Sequence, residues 1–108
     1  MKLNEYQIRA YETAQYGYGQ AIVYPLMGLA GEAGEVMNKL KKVFRDSDGE
    51  FTEERKDGII DELGDTLWYI AATCTDLGIT LEELAQRNLD KLKDRNQRGV
   101  VKGDGDNR

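Results

Sequence analysis

Apolar residues recur at helical intervals along most of this chain, and no segment alternates apolar and polar residues long enough to predict a strand. The clearest stripe predicts a long helix from Pro25 to Phe44, because proline suits a first helical turn and apolar residues then follow at spacings of three and four. A second stripe predicts a long helix that starts after Thr52, a suitable N-cap, and ends at Gly78. The pattern therefore predicts an all-α fold built around two long helices.

Two shorter helices flank this pair in the predicted order. The first begins near Asn4, which is a candidate N-cap with Gln7 three positions later, and extends to about Tyr16. The last begins at the capping box Thr80–Glu83 and continues to about Asn96. The chain is therefore predicted to contain four helices.

The C-terminal residues differ from the rest of the chain. Residues 97–108 are rich in Gly and Asp without helical periodicity, which predicts a tail that is disordered or ordered only by a ligand or a partner subunit. We therefore divide the chain into a helical domain, 1–96, and this tail. Because the apolar stripes are long for 108 residues, we expect a four-helix bundle that completes its core by oligomerisation.

Three glycines, Gly28, Gly31 and Gly34, lie inside the predicted second helix. Each costs about 1 kcal/mol relative to alanine in a helix interior. Because close approach of a ligand or another helix would offset this cost, we expect such an approach at these positions.

Charge and composition narrow the classes of function. The net charge of −5 disfavours sequence-independent binding to DNA or RNA, and no run of about 18 apolar residues predicts a membrane span. The single cysteine excludes an internal disulfide, and the N-terminal residues lack an apolar signal segment, so we expect a cytoplasmic protein. The absence of histidine excludes a Ser-His-Asp triad, an HExxH zinc site and a Glu-x-x-His di-iron site. An enzyme of this composition depends on carboxylates and lysines.

Two pairs of acidic residues have the i, i+3 spacing that places both members on one helix face: Glu32 with Glu35, and Glu62 with Asp65. If the two long helices pack antiparallel, the four carboxylates converge at one edge of the core. Like charges about 4 Å apart repel by roughly 1 to 4 kcal/mol. A hard cation such as Mg2+ or Mn2+ relieves that repulsion. The alternative is two solvated acidic faces, which are common on helices, so the spacing alone leaves both interpretations open.

Four segments together carry a resemblance to a known family. The segments Gly28–Val36 and Asp61–Ile70 resemble the MazG-like family of all-α nucleoside triphosphate pyrophosphohydrolases, whose pattern is ExxE, a spacer and ExxD. The spacer here is 26 residues long. The turn Leu77–Leu84 and the helical segment Asn88–Arg95 are similar to the family as well. The resemblance covers about residues 3 to 108.

The resemblance implies a reaction and a cofactor. Members cleave the α–β bond of a nucleoside triphosphate to a monophosphate and pyrophosphate, and they form dimers or dimer-based tetramers. The same four acids would hold Mg2+, with Mn2+ as a possible substitute. They would serve as both metal-binding and catalytic residues: Glu32, Glu35, Glu62 and Asp65. One acid that is not fully committed to metal would act as general base, and either Glu35 or Glu32 fits that role.

Cationic and polar side chains near these motifs are candidate phosphate contacts. The predicted substrate-binding residues are Lys39, Lys42, Tyr69, Asn88, Lys91 and Arg95. For the lysines the alternative is a solvated charge, and for Tyr69 it is partial core packing. The tyrosines of the first segment would line a base pocket or contribute only to packing and dimer contacts: Tyr6, Tyr11, Tyr16 and Tyr18.

Two other classes of function stay open. A related branch of the same superfamily would act on phosphoribosyl-ATP or another nucleotide, and the shared motif does not separate the branches. A non-enzymatic helical interaction module would explain the apolar stripes and the acidity, but not the paired acids flanked by Lys and Arg. The sequence does not predict the preferred base or sugar.

Overall fold

The computed structural model describes residues 1–106 and 108. In this part of the chain every regular element is a helix, and no residue lies in a strand. A 3-10 turn, Tyr18–Gln20, precedes the second helix. The four helices are α1 (Leu3–Tyr11), α2 (Val23–Asp46), α3 (Glu53–Leu77) and α4 (Leu81–Arg98). The predicted all-α fold with four helices is confirmed.

Helices α2 and α3 form a long antiparallel hairpin, and α1 packs against α3 and α4. The direction follows from two close approaches: Gly28 lies against Tyr69, whereas Lys39, further along α2, lies against Gly58, earlier in α3. The hairpin therefore brings the acid-bearing part of α2 alongside the acid-bearing part of α3.

The predicted ends of the long helices are close to the observed ones. Helix α2 begins two residues before Pro25 and ends two residues after Phe44. Helix α3 begins as predicted, because the Thr52 hydroxyl accepts a hydrogen bond from the Arg55 amide at 3.2 Å. It ends at Gly78, which adopts a φ of 78° that only glycine adopts readily.

The predicted extent of the first helix is wrong, since α1 ends at Tyr11 rather than near Tyr16. The indole nitrogen of Trp68 donates to the Ala10 carbonyl at 3.1 Å and to the Thr13 hydroxyl at 2.8 Å. The Thr13 hydroxyl itself donates to the same carbonyl at 2.7 Å. These bonds satisfy a carbonyl at the end of α1 from outside the helix, so the chain turns away there.

The predicted capping of α1 by Asn4 and Gln7 is also wrong, because both side chains cap a different helix. The Gln7 side-chain oxygen accepts from the Leu81 amide at 2.7 Å, and the Asn4 oxygen accepts from the Glu82 amide at 3.0 Å. The Thr80 hydroxyl accepts a third bond at the same helix start, as its capping motif predicts. Helix α4 is therefore capped partly from α1.

The core of the single chain is small. The buried apolar residues are Ala10, Val43, Ala71, Ala72, Cys74 and Leu81. Many larger apolar side chains on α2, α3 and α4 are exposed, among them Met37, Ile60, Leu63 and Leu89. The apolar stripes thus exceed what one chain buries. Among the described residues, no helix combines the length and apolarity needed to cross a bilayer.

The C-terminal residues fold back on α4, which continues to Arg98, two residues past the predicted end at Asn96. Gly99 ends the helix with a φ of 71°. The side chain of Arg108 donates to the Val100 carbonyl at 2.9 Å. The described residues of the tail therefore make contacts within their own chain.

Candidate metal centre

The α2–α3 hairpin brings together three of the four predicted acids. Glu32 from α2 and both Glu62 and Asp65 from α3 each offer a carboxylate oxygen, and these oxygens lie within 4.8 Å of one another. Glu35, one turn further along α2, is exposed and lies outside this group. Its carboxylate accepts a hydrogen bond from the Asn38 amide at 3.4 Å.

The electrostatics of the cluster fit a cation. Burial raises the pKa of Glu32, and a hydrogen bond with Glu62 and the negative charges of Asp65, Glu62 and Glu35 raise it further. A bound cation would offset the same repulsion that otherwise retains a proton. Ligands of one octahedral Mg2+ lie about 3.0 Å apart when adjacent and about 4.2 Å apart when opposite, so the three oxygens would move closer together to share one ion. The all-oxygen donor set suits Mg2+ or Mn2+.

A cavity of about 370 Å³ opens beside the cluster and is lined by Glu32, Asp65, Trp68 and Tyr69. The pKa of the Tyr69 phenol is raised by burial, then by the neighbouring Tyr24 and the two carboxylates of the cavity. Tyr69 therefore keeps its proton at neutral pH and can donate a hydrogen bond into the cavity.

The close approach expected at the helix glycines occurs at Gly28. A Cβ built there would lie 2.1 Å from Cε1 of the Tyr69 ring, which itself packs edge-on against Trp68 with centroids 5.0 Å apart. At Gly31 and Gly34, by contrast, nothing among the described residues lies within 4 Å of a built Cβ apart from adjacent residues and nearby backbone of the same helix. The expectation is therefore confirmed at one glycine and is wrong for contacts within the chain at the other two.

This difference makes a matched pair of substitutions. Gly28→Ala is expected to destabilise the protein by about 1 to 3 kcal/mol, because the methyl group forces the Tyr69 ring to move in a packed site. Gly31→Ala is expected to stabilise it by up to about 1 kcal/mol, because alanine favours the helix and nothing opposes its Cβ. Urea unfolding of both variants measures this, and equal shifts in the two would contradict the packing assigned to Gly28.

The two predicted lysines of α2 lie away from the cluster, in a second groove of about 280 Å³. The groove is lined by Lys39, Lys42, Glu54, Arg55, Asp57, Gly58 and Asp61. It carries three cations and three acids, so its charges are mixed. The structure therefore places Lys39 and Lys42 next along the same hairpin but does not bring them into the acid cluster.

The three predicted residues of α4 lie elsewhere. Asn88 borders an apolar groove with residues such as Leu67 and Leu84. Lys91 and Arg95 form ion pairs with Asp106 of the tail. Within the described chain, no hydrogen bond or ion pair joins any of the three to the acid cluster.

Sequence reasoning missed Asp76, near the end of α3. Its carboxylate accepts from the Tyr11 hydroxyl at 2.6 Å, the Tyr16 hydroxyl at 2.8 Å and the Ile22 amide at 2.8 Å. Burial opposes ionisation, but these three bonds outweigh it and hold the pKa of Asp76 below its usual range. The only local feature that could have pointed to Asp76 is the position of an acid beside the apolar stripe of α3. Its hydrogen-bond partners are more than fifty residues away in sequence.

A cavity of about 470 Å³ lies at this network. It is lined by Tyr11, Ala14, Tyr16, Gly17, Tyr18, Ala21, Thr75 and Asp76. Three of the four tyrosines considered from the sequence thus share one cavity, whereas Tyr6 packs against the core. Tyr16 also stacks on Tyr24, with ring centroids 4.9 Å apart. The tyrosines of this segment therefore take part in packing and also line an open space.

An antiparallel helical hairpin with clustered carboxylates beside a cavity defines a class of all-α proteins with a candidate site for a divalent cation. A family model described as the MazG nucleotide pyrophosphohydrolase domain matches residues 24–100, which include α3, α4 and all of α2 except its first residue. The chain belongs to this family. Its members generally depend on metal ions.

One curated relative spans the whole chain. It is the "Gene 37 protein" of Mycobacterium phage L5, which is 47% identical over an alignment of 114 positions that covers all of both chains. Its name states no activity. No solved structure matches this chain. The comparisons therefore assign the family and leave the particular substrate to the residues of the site.

Proposed function

We propose that this chain is a Mg2+-dependent nucleoside triphosphate pyrophosphohydrolase, which cleaves the α–β bond of an NTP or dNTP to a nucleoside monophosphate and pyrophosphate. The observation that supports this proposal is the group of three carboxylate oxygens within 4.8 Å, on the paired helices of a chain of the MazG family. Mn2+ is a possible substitute, because it accepts the same oxygen donors.

In this proposal, Glu32, Glu62 and Asp65 hold the metal from the two sides of the hairpin. A bound divalent cation neutralises phosphate oxygens and lowers the pKa of a coordinated water. Glu35 lies one turn from Glu32 but outside the oxygen group, so its carboxylate is not committed to the metal and would accept a proton from the attacking water. This favours Glu35 over Glu32 as general base, a choice that the sequence left open.

The substrate phosphates require hydrogen-bond donors and positive charge. The Tyr69 phenol borders the cavity beside Glu32 and Asp65 and retains its proton, so it is suited to donate to a phosphate oxygen. Lys39 and Lys42 lie about two and three turns past Glu32 on α2, where they would attract the far end of a polyphosphate.

The roles proposed for Asn88, Lys91 and Arg95 require a second copy of the chain. Among the described residues these side chains have no hydrogen bond or ion pair with the acid cluster, and apolar residues on α3 and α4 are exposed, including Leu63 and Leu89. A homodimer or dimer-based homotetramer would cover that surface and bring the cations of one copy to the acids of another.

The proposed reaction is tested by pyrophosphate release from a panel of canonical and modified NTPs and dNTPs, with and without Mg2+. We expect release that depends on added metal, with equal amounts of the monophosphate as co-product. Release of orthophosphate instead would contradict cleavage at the α–β bond. If the folded protein releases nothing from the panel, phosphoribosyl-ATP is the next substrate to test, and a non-enzymatic interaction module is the last alternative.

A further inference from the structure

The folded tail places one acid on two of the cations of α4, Lys91 and Arg95. The Asp106 carboxylate oxygen Oδ1 lies 3.2 Å from Nζ of Lys91 and 3.1 Å from Nη2 of Arg95. The same Arg95 nitrogen donates to the Asp106 backbone carbonyl at 2.8 Å. Asp106 therefore offers one carboxylate oxygen and its backbone carbonyl to a pair of cations one helical turn apart.

The two sides of this contact differ in their exposure. The Arg95 side chain is 6% exposed, whereas the Asp106 side chain is 81% exposed. A buried guanidinium needs an anion or other acceptors, and within the described residues Asp106 supplies the hydrogen bonds that Arg95 makes. An exposed carboxylate gains little from such a pair, so it can be displaced at small cost. Lys91 and Arg95 thus form an anion-binding site whose present ligand, Asp106, can be exchanged for another anion.

The chemistry of the pair selects oxyanions with more than one charged oxygen. An arginine fork and a lysine at i, i+4 on one helix face can bind neighbouring oxygens of a phosphate through charge-assisted bonds. Hydrogen bonds from Arg95 and then Lys91 hold the pKa of Asp106 below its usual range, so the tail presents a charged carboxylate. A phosphate or pyrophosphate would present more charge to the same donors.

We infer that Asp106 is a built-in competitor at Lys91 and Arg95, the residues already expected to contact phosphate, so that the tail must release these cations before a phosphorylated ligand binds them. That this ligand is the nucleotide substrate or its pyrophosphate product rests on the proposed function. The anion site itself rests only on the geometry of α4 and the tail.

The experiment measures binding of inorganic pyrophosphate to the full chain in metal-free buffer at low ionic strength, where the acid cluster has no cation to attract it. Isothermal titration compares the unmodified protein with Asp106→Asn. Because the site is freed for a larger fraction of the time, Asp106→Asn is expected to lower the dissociation constant by about three- to tenfold. Adding Lys91→Gln to Asp106→Asn is expected to abolish this gain.

Asp104→Asn is the matched control, since it removes the same charge from the same tail at an exposed residue that forms no ion pair among the described residues. We expect it to leave the dissociation constant unchanged within about twofold. If both variants lowered the dissociation constant equally, the change in net charge alone would explain the effect. That result would overturn the inference. Weaker binding in Asp106→Asn would also overturn it, because Asp106 would then position Arg95 rather than compete for it.

A second measurement needs no variant. Lys102 is exposed in the tail, so displacement of Asp106 by pyrophosphate is expected to accelerate tryptic cleavage after Lys102 several-fold in the unmodified protein. Unchanged or slower cleavage at saturating pyrophosphate would contradict tail release. Neither measurement involves hydrolysis. A protein that shows this competition but cleaves no nucleotide would therefore refute the proposed activity and leave the anion site intact.

Discussion

Replacing Glu62 by glutamine is expected to lower Mg2+-dependent pyrophosphate release at least about 100-fold. The reason is that Glu62 supplies one of the three clustered oxygens, and even the hydrogen-bonding partners of metal ligands typically contribute about 10- to 100-fold to metal affinity or activity. The amide has nearly the shape of the carboxylate but carries no charge. Initial rates over a series of Mg2+ concentrations measure the loss, and higher Mg2+ is expected to restore part of the activity.

The same substitution is expected to preserve the fold. Glu62 lies against Glu32 and Asp65, so removal of its charge relieves repulsion, and the melting temperature of the metal-free protein should stay equal or rise. Glu50→Gln is the matched control, because Glu50 is an exposed residue in the loop between α2 and α3, far from the cluster in sequence. Undiminished turnover in Glu62→Gln would exclude Glu62 as a metal ligand.

The sequence predicted the acid cluster because its determinants are periodic. An i, i+3 spacing on each of two long helices joined by a short loop brings acids together whenever the helices pair antiparallel. The spacing did not predict that Glu35 lies outside the group, because Glu62 and Asp65 have the same spacing on α3 and both belong to it.

What the sequence did not predict depends on contacts between distant segments. Asn4 and Gln7 fit a local capping pattern, yet their amides bond to the start of α4, about 74 residues away in the case of Gln7. A capping side chain needs only a free N–H, and local spacing does not say which helix supplies it. The direction of α4 is equally non-local, so spacing alone did not show that Lys91 and Arg95 face the tail.

Asp76 is the clearest example of a residue whose contacts lie in distant segments of the chain. Its replacement is expected to have the largest effect on stability. Its carboxylate accepts three hydrogen bonds, two of them from phenols of the α1 segment and one from the Ile22 amide. Hydrogen bonds to a charged group contribute about 1.5 to 3 kcal/mol each. Because the bonds share one half-buried acceptor, we expect Asp76→Ala to lower the free energy of unfolding by about 3 to 5 kcal/mol.

The bond to Ile22 explains part of this effect. Ile22 has a φ of 68° and lies at the centre of a tight turn in which the Val23 amide donates to the Ala21 carbonyl at 2.7 Å. This γ-turn is strained for a β-branched residue. The Asp76 carboxylate holds the Ile22 amide in that conformation and so fixes the start of α2. Without it, the connection from α1 to α2 is expected to loosen.

A smaller matched pair isolates a single bond of the network. Tyr16→Phe removes one hydroxyl that donates to Asp76 and is expected to lower the free energy of unfolding by about 1 to 2 kcal/mol. Tyr18→Phe removes a hydroxyl from a fully exposed ring in the same segment and is expected to have almost no effect. Equal effects of the two would mean that the network contributes nothing.

The pH dependence of the Asp76 effect has a definite sign. The folded-state pKa of Asp76 is lowered, so its contribution is complete above the unfolded value of about 3.9 and is lost as the pH falls through the lower folded value. Asp76→Asn retains the side-chain shape but cannot ionise. Urea unfolding of both proteins from pH 7 to pH 3 should therefore show a stability difference that is constant near neutrality and shrinks in acid. A difference that grows as the pH falls would contradict the charged acceptor assigned to Asp76, because a carboxyl that is neutral in the fold would contribute most at low pH.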